Sequence, residues 1–295
     1  MPRLFERITI AGVGLIGGSL GGAVRKLGLA GEVVGFGRRR DNLDIALQRG
    51  LIDRYETEAP RAARGADLLL LAVPVQSMRA VATACAPELA PGAIVTDAGS
   101  TKLSVVRELE ACLPPEIAVV GAHPIAGGEE SGAAAADIEV FRGRECIVTP
   151  GERATLEATE KVCELWRSVG MRVSRMDPAR HDRVLAWVSH LPHAIAFALV
   201  RALAAGDPTV AQHGGPSWHE LTRIAASSPE MWRDIFRTNA EAIGGAIDEF
   251  VAVLQELRAT IAVGDEVVLL EWLERARAAK VGGGAASGLT AEGPR

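Results

Sequence analysis

The sequence predicts a doubly wound α/β domain followed by an all-α domain, and three observations predict it. Through the first half of the chain, short apolar runs rich in β-branched residues alternate with amphipathic stretches. From about Asp177 onward apolar residues recur at intervals of three and four, and the β-branched clusters thin out. A chain of 295 residues also exceeds the ~250 at which single cores usually stop growing. The expected boundaries are residues 1–174 for the α/β domain, 175–280 for the helical domain, and 281–295 for a flexible low-complexity tail that includes "GGGAASGLTAEGPR".

Taken in order, "ITIAG", "VVGFG", "LLLLAVP", "AIVTDAG", "AVVGAHP" and "ECIVTP" read as buried strands of a parallel sheet, with "MRVSRM" as a last strand. Helical spacing fills residues 19–27 and 103–113 between them. In the second half, helices are expected near 178–203, 217–226, 229–237, 238–263 and 265–280. "SWHE" (Ser217 to Glu220) reads as a capping box, and "SPE" (Ser228 to Glu230) as an N-cap serine followed by proline at N1. Pro192 has no amide to offer the carbonyl of Val188, so the first of these helices should bend there.

Composition narrows the function. A net charge of -5 argues against nucleic acid or an acidic membrane surface as a main partner. Cys85, Cys112, Cys146 and Cys163 are widely spaced with no CxxC pair, which suits reduced thiols in the cytoplasm. The start "MPRLFERITI" has no apolar signal core, and no later run approaches ~18 uninterrupted apolar residues, so no membrane segment is expected.

The clearest motif is "ITIAGVGLIGGSL". Gly12, Gly14 and Gly17 form G-x-G-x-x-G between a strand and a helix, with Leu15 and Ile16 inside the turn. The first glycine permits the turn, the second lets backbone approach a pyrophosphate, and the third lets helix and strand pack closely. In this context the pattern marks a Rossmann-type dinucleotide site. The second strand ends in "GFGRRRD". Gly37 stands where NAD sites usually carry an acid, and Arg38, Arg39 and Arg40 follow it. They either pair the 2'-phosphate of NADP or form a solvated cationic helix start, so NADP and NAD both remain cofactors, with NADP favoured.

Ligands of such sheets sit beyond the carboxyl ends of the strands. Three of those ends carry unusual residues: Val73 and Pro74 in "AVP", Ser100 in "DAGSTK", and His123 in "GAHPIAGG". Ser100 reads as an N-cap that also meets ligand. His123 is a titratable group aimed at the cofactor cleft; its bland alternative is a loop histidine bound to backbone. In the helical half, His190 and His193 share one helix face beside Pro192, which suggests a pocket, with Ser189 adjacent. His181 and His193 also fit core histidines with satisfied nitrogens. No HExxH occurs and Asp182 is the one acid near these histidines, so no metal is expected. Arg223, in a short capped helix, either is buried against a cleft, binding a carboxylate bidentately, or lies exposed.

Together, "GVGLIGGSL", "LLLLAVPV", "DAGSTK", "GAHPIAGGEESG", "HDRVLAWVSHLPHAIAFAL" and "LTRIAASSPEMWRDIF" resemble the prephenate and arogenate dehydrogenases of tyrosine biosynthesis, from Ile8 to about Lys280. The resemblance implies a Rossmann domain, a helical domain that makes a homodimer, and oxidative decarboxylation of a cyclohexadienyl substrate. It places the catalytic histidine on His123, bonded to the substrate's ring hydroxyl, and its serine partner on Ser100. It places the substrate pocket on His190 with Ser189 and His193, the carboxylate-fixing arginine on Arg223, and an acidic entrance residue on Glu129. Two departures stand out: Gly128 replaces a threonine of some relatives, and His219 replaces a lysine near the entrance, which would make an ion pair with Glu129 pH-dependent. No chorismate mutase segment precedes Met1 and no ACT domain is expected, so feedback by tyrosine would act at the active site or through another partner.

Two rival functions are weighed. β-Hydroxyacid dehydrogenases share this layout but use a lysine early in the helical domain, where this chain has only Lys280 near its end. A non-catalytic NAD(P)-binding regulator would show a degenerate pocket, whereas His123, Ser100, His190 and Arg223 are all present.

Overall fold

The structure, a computed structural model, describes residues 2–128 and 130–288. In chain order its elements are β1 (Phe5–Ala11), α1 (Leu15–Leu27), β2 (Ala30–Phe36), α2 (Arg40–Gln48), β3 (Arg54–Glu56), α3 (Ala59–Ala63), β4 (Leu68–Leu71), α4 (Val75–Cys85), β5 (Ile94–Asp97), α5 (Leu103–Cys112), β6 (Ala118–Pro124), β7 (Glu145–Pro150), α6 (Leu156–Ser168) and β8 (Arg172–Arg175). There follow α7 (Pro178–Leu185), a π-helical turn (Ala186–His190), α8 (Leu191–Ala205), α9 (Pro216–Thr222), α10 (Pro229–Thr238), α11 (Ala240–Val263) and α12 (Glu266–Gly288).

One eight-stranded sheet runs in the order β3-β2-β1-β4-β5-β6-β7-β8. Its middle strands are apolar on both faces because helices cover both: Leu68 and Leu70 join the core on one side, and Leu69 and Leu71 the core on the other. The short edge strand β3 escapes the sequence reading because "RYE" carries no apolar run. The expectation of an all-parallel sheet is corrected at β7, which pairs antiparallel with β6, His123 lying opposite Ile147. The connection from β6 to β7 holds no crossover helix, only the 3-10 turn Ala133–Ala135, and a parallel return requires such a crossover. β8, reached through α6, then runs parallel to β7.

The single long helix expected over 178–203 is broken by the π turn just ahead of Pro192, where the missing amide forces a different backbone pairing. By length and composition alone, Pro178–Ala205 is apolar enough to cross a membrane. The capping box at Ser217 does not form: Gly215 is the N-cap of α9 and Pro216 occupies N1, so Ser217 falls inside the first turn. Ser228 does cap α10, its hydroxyl accepting the Met231 amide at 3.3 Å. Asp265 caps α12, accepting the amides of Val267 and Val268, and α12 runs on to Gly288, past the Lys280 boundary expected for the tail. Residues 289–295 lie outside the described residues.

By compactness the chain divides into residues 1–243 and 244–295. In the second unit, α11 turns through Gly264 (φ 72°) into α12, and the Trp272 indole donates to Glu256 Oε1 at 2.8 Å across the pair.

A buried ion pair fixes the edge of the sheet that matters most. Lys102 and Asp97, both 0% exposed, are joined through Nζ and Oδ2. Asp97 also accepts the Gly99 amide at 2.8 Å and the Ala122 amide at 3.2 Å, which ties the end of β5 to β6 one residue before His123. Removing one partner of such a pair strands the other charge, so Lys102→Ala should cost about 3–5 kcal/mol in urea unfolding, and a Lys102→Met, Asp97→Asn double variant less than the sum of its parts.

Candidate active site

The glycine turn behaves as its chemistry requires. A Cβ on Gly12 would stand 2.3 Å from the Ala72 carbonyl oxygen, at φ 94°, and one on Gly17 would stand 2.1 Å from the Gly12 carbonyl oxygen. One on Gly14 would meet nothing within 4 Å, so the middle glycine is the one that faces open space. A cleft of about 510 Å³ lies over this turn, walled by Gly12, Gly14, Arg38, Arg39, Val73 and Pro74. Leu15 and Ile16 open α1, whose N-terminal amides point toward the same turn. Asn42 holds the turn in place, its amide nitrogen donating to the Val13 carbonyl at 2.7 Å. The residues thus fit a dinucleotide's pyrophosphate. Arg38, Arg39 and Arg40 are all exposed, and Arg39 is paired with Asp41 at 2.7 Å.

Along the carboxyl edge of the sheet, β1, β4, β5 and β6 are consecutive neighbours. Gly12, Pro74, Ser100 and His123 therefore follow one another along that edge. Ser100 is not an N-cap: Lys102 occupies that position of α5 and supplies no side-chain cap. The orphan amides of Lys102 and Leu103 go instead to the Asp182 carboxylate, at 2.8 and 2.9 Å. That leaves the partly exposed Ser100 hydroxyl without a hydrogen bond among the described residues.

His123 is partly exposed, and its Nδ1 lies 2.9 Å from His181 Nε2. Burial foremost, then the neighbouring His181, Lys102 and His190, hold its imidazole well below the ordinary histidine pKa of 6.5. It is therefore neutral at pH 7.

The helical histidines are neutral for the same reason. Burial brings His190 down to about 4 and also lowers His181 and His193. The Asn239 amide nitrogen, itself buried, uses one hydrogen on the Asp182 carbonyl (2.8 Å) and the other on His190 Nδ1 (3.1 Å). His190 must then carry its own hydrogen on Nε2, which makes it a donor. His193 donates from Nδ1 to the Ser189 carbonyl at 2.9 Å and stacks on Trp232, with centroids 3.8 Å apart. His190 meets the edge of the same indole at 6.0 Å. Both ring nitrogens of the buried His181 are engaged, as a core histidine requires, whereas the partly exposed His193 has a hydrogen bond from Nδ1 alone among the described residues.

Arg223 is exposed, which corrects the buried alternative. It opens the 3-10 turn Arg223–Ala226 rather than sitting inside α9, and it lines a cleft of about 640 Å³ with His219 and Thr222. It is close enough to His193 to disfavour that ring's charged form. Glu129 lies outside the described residues. A Cβ at Gly128 would make an ordinary 3.7 Å contact with Leu15, so a side chain can begin there without a clash. Sequence reasoning missed Asp97, Lys102, Asn239 and Trp232, and it took Asp182 only for a candidate metal ligand. Lys102 and Asp97 stood in the "DAGSTK" motif, but nothing local signals that they pair.

Residues 20–175 match the model "Prephenate dehydrogenase, nucleotide-binding domain", and residues 177–275 the model "Prephenate dehydrogenase, dimerization domain". The chain belongs to the prephenate dehydrogenase family. It is 36% identical over 282 residues to the cyclohexadienyl dehydrogenase of Zymomonas mobilis, covering 94% of this chain and 96% of the relative. It is 31% identical to the prephenate dehydrogenase of Bacillus subtilis, covering 94% and 76%. Its fold matches the crystal structure of the A. aeolicus prephenate dehydrogenase in complex with hydroxyphenyl propionate and NAD+, with a TM-score of 0.88, 35% identity, and 94% and 97% of the two chains covered.

Gly14 and Gly17 should separate by stability alone. Gly14→Ala should unfold within about 1 kcal/mol of wild type, as an N-cap exchange into open space. Gly17→Ala should lower the melting temperature clearly, since its methyl would drive the Gly12 carbonyl out of the turn; thermal unfolding without added ligand distinguishes the two.

Proposed function

We propose that this chain carries out the oxidative decarboxylation of a cyclohexadienyl acid, prephenate or arogenate, with His123 as the base. It is an NAD(P)-dependent oxidoreductase of the prephenate dehydrogenase family. The observation that carries the reading is a neutral imidazole on the sheet edge shared with the glycine turn, with Nε2 making no hydrogen bond among the described residues.

A nicotinamide dinucleotide would supply the hydride acceptor when bound, and Gly12, Gly14 and Gly17 with Val73, Pro74 and Ser100 are the residues that would hold it. His123 Nε2 takes the proton of the ring hydroxyl as that carbon's C–H bond gives up its hydride, a contribution of about 10²–10⁴-fold for a typical general base. Loss of the ring carboxylate as carbon dioxide sends its electron pair through the ring to the new carbonyl oxygen, the ring becomes aromatic, and that oxygen takes back the proton held on His123, so no separate acid is needed. Ser100 steadies the hydroxyl, His190 donates from Nε2 into the substrate pocket beside Ser189 and His193, and Arg223 anchors a carboxylate by position. The domain reading, residues 1–174 for the cofactor and 175–280 for substrate and dimer contacts, belongs to the same proposal, as does a cytoplasmic location.

Two details are finer. NADP should serve at least as well as NAD, because Gly37 offers no acid to a ribose 2'-hydroxyl, Arg38 and Arg39 line that end of the cleft, and Arg40 follows them in sequence. The homodimer forms through the C-terminal helices: Leu254, Ile261, Val267, Leu270 and Leu273 are each 46% exposed or more on the single chain, more apolar surface than a solvated helix pair tolerates.

Assays with prephenate and arogenate, each with NAD and NADP, test the activity directly; turnover of neither acid would end the reading. His123→Asn should lower kcat by about 10²–10⁴-fold with cofactor affinity nearly unchanged. Because the folded pKa lies below 6.5, the base is charged only in acid, so the wild-type rate should hold across neutral pH and fall only below that value. Arg223→Ala should chiefly raise KM for the acid.

A further inference from the structure

His123, His181 and Asp182 form one hydrogen-bonded line. His123 Nδ1 stands 2.9 Å from His181 Nε2, and His181 Nδ1 stands 2.8 Å from Asp182 Oδ1. The Asp182 carboxylate also accepts two backbone amides, from Lys102 at 2.8 Å and Leu103 at 2.9 Å. With two backbone amides and the His181 ring converging on it at the start of a helix, the Asp182 carboxylate acts as the acceptor. His181 must then donate from Nδ1, and as a neutral ring it presents a lone pair at Nε2. His123 must in turn donate from Nδ1, which leaves its own lone pair on Nε2.

We propose that Asp182 and His181 are positioning residues that lock His123 in its Nδ1–H tautomer, making Nε2 the atom that receives the substrate's proton. The proposal rests on the reading of His123 as the base. Only this tautomer gives the exposed nitrogen a lone pair; with the hydrogen on Nε2, the ring could not accept the hydroxyl proton there. The same line steadies the imidazolium that forms, because its Nδ1–H already points down a chain ending in a carboxylate. The other charged or titratable groups around the ring are Lys102 ahead of α5 and His190 from the π turn, with Asp97 and Cys146 behind Lys102. Lys102 is neutralised by Asp97, so Asp182 is the anion whose charge His123 can use. His181 and Asp182 themselves are 0% and 3% exposed, too buried to meet substrate.

Histidine-labelled protein tests this by nitrogen-15 NMR, which distinguishes the two ring tautomers; among the chain's 6 histidines, the signal missing from His123→Asn assigns the ring. Wild-type His123 should read as Nδ1–H. His181→Leu should move that hydrogen to Nε2, in whole or in part, and lower kcat by roughly 10–10³-fold while both KM values stay within about threefold. His181→Gln, which returns an amide oxygen near the former Nε2, should restore the tautomer and much of kcat. A wild-type His123 protonated on Nε2, or an unchanged tautomer in His181→Leu, overturns the proposal, and the wild-type spectrum decides even if the leucine variant does not fold. Failure of the underlying reading shows separately, as wild-type turnover in His123→Asn.

Discussion

The Asp182 carboxylate is the constraint on which the rest of the site depends. A carboxylate 3% exposed persists as an anion only where donors replace its water, and here the start of α5 supplies two amides and His181 a third hydrogen. The exchange is mutual. The first turn of α5 lacks a side-chain cap of its own and borrows one from α7. Helix α7, which follows the last strand, is thereby fastened to the carboxyl edge of the sheet, and the imidazole next to Asp182 is delivered to His123. A second bond, between the hydroxyls of Thr101 and Thr238 at 2.9 Å, fastens α10 to the same loop.

Asn239 extends this arrangement to the substrate side. Its amide spans the Asp182 carbonyl and His190, so the residue that ends α10 sets the orientation of a histidine in the π turn. The turn exists because Pro192 cannot complete an α-helical register, and it leaves the buried His190 ahead of α8 instead of within a regular helix. Trp232 then closes one side of His190 and stacks on His193. Proline, asparagine and tryptophan each do one thing here, and none contributes a charge.

How much of this is legible in sequence depends on whether the cause is local. The glycine turn, the strand ends and the Ser228 cap are local, and they appear where the sequence places them. The bend ahead of Pro192 is local as well, although its π form is not. The errors lie where a distant partner overrides a local rule. Ser100 has the side chain of an N-cap, but Asp182 takes that role from across the fold. Ser217 and Glu220 match a capping box, but Pro216 already holds N1 and shifts the start. Strand β7 has the composition of a parallel strand and runs the other way because no crossover helix precedes it. Asn239 and Lys102 carry no pattern that singles them out, since their meaning lies in pairing with residues far along the chain.

Charge placement and hydrogen bonding explain why the remaining ring nitrogens of His123 and His190 differ. Near His123, the positive Lys102 is cancelled by Asp97, and the negative Asp182 is held by amides and by His181. Burial then dominates, and the ring is neutral at pH 7. His190 is neutral too, yet the Asn239 hydrogen occupies its Nδ1, so its remaining nitrogen can only donate. One buried amide and one buried carboxylate thus leave a hydrogen-bond acceptor on one histidine and a hydrogen-bond donor on the other, from two identical side chains. A histidine's role here is fixed by the group behind it, and that group is invisible in any short stretch of sequence.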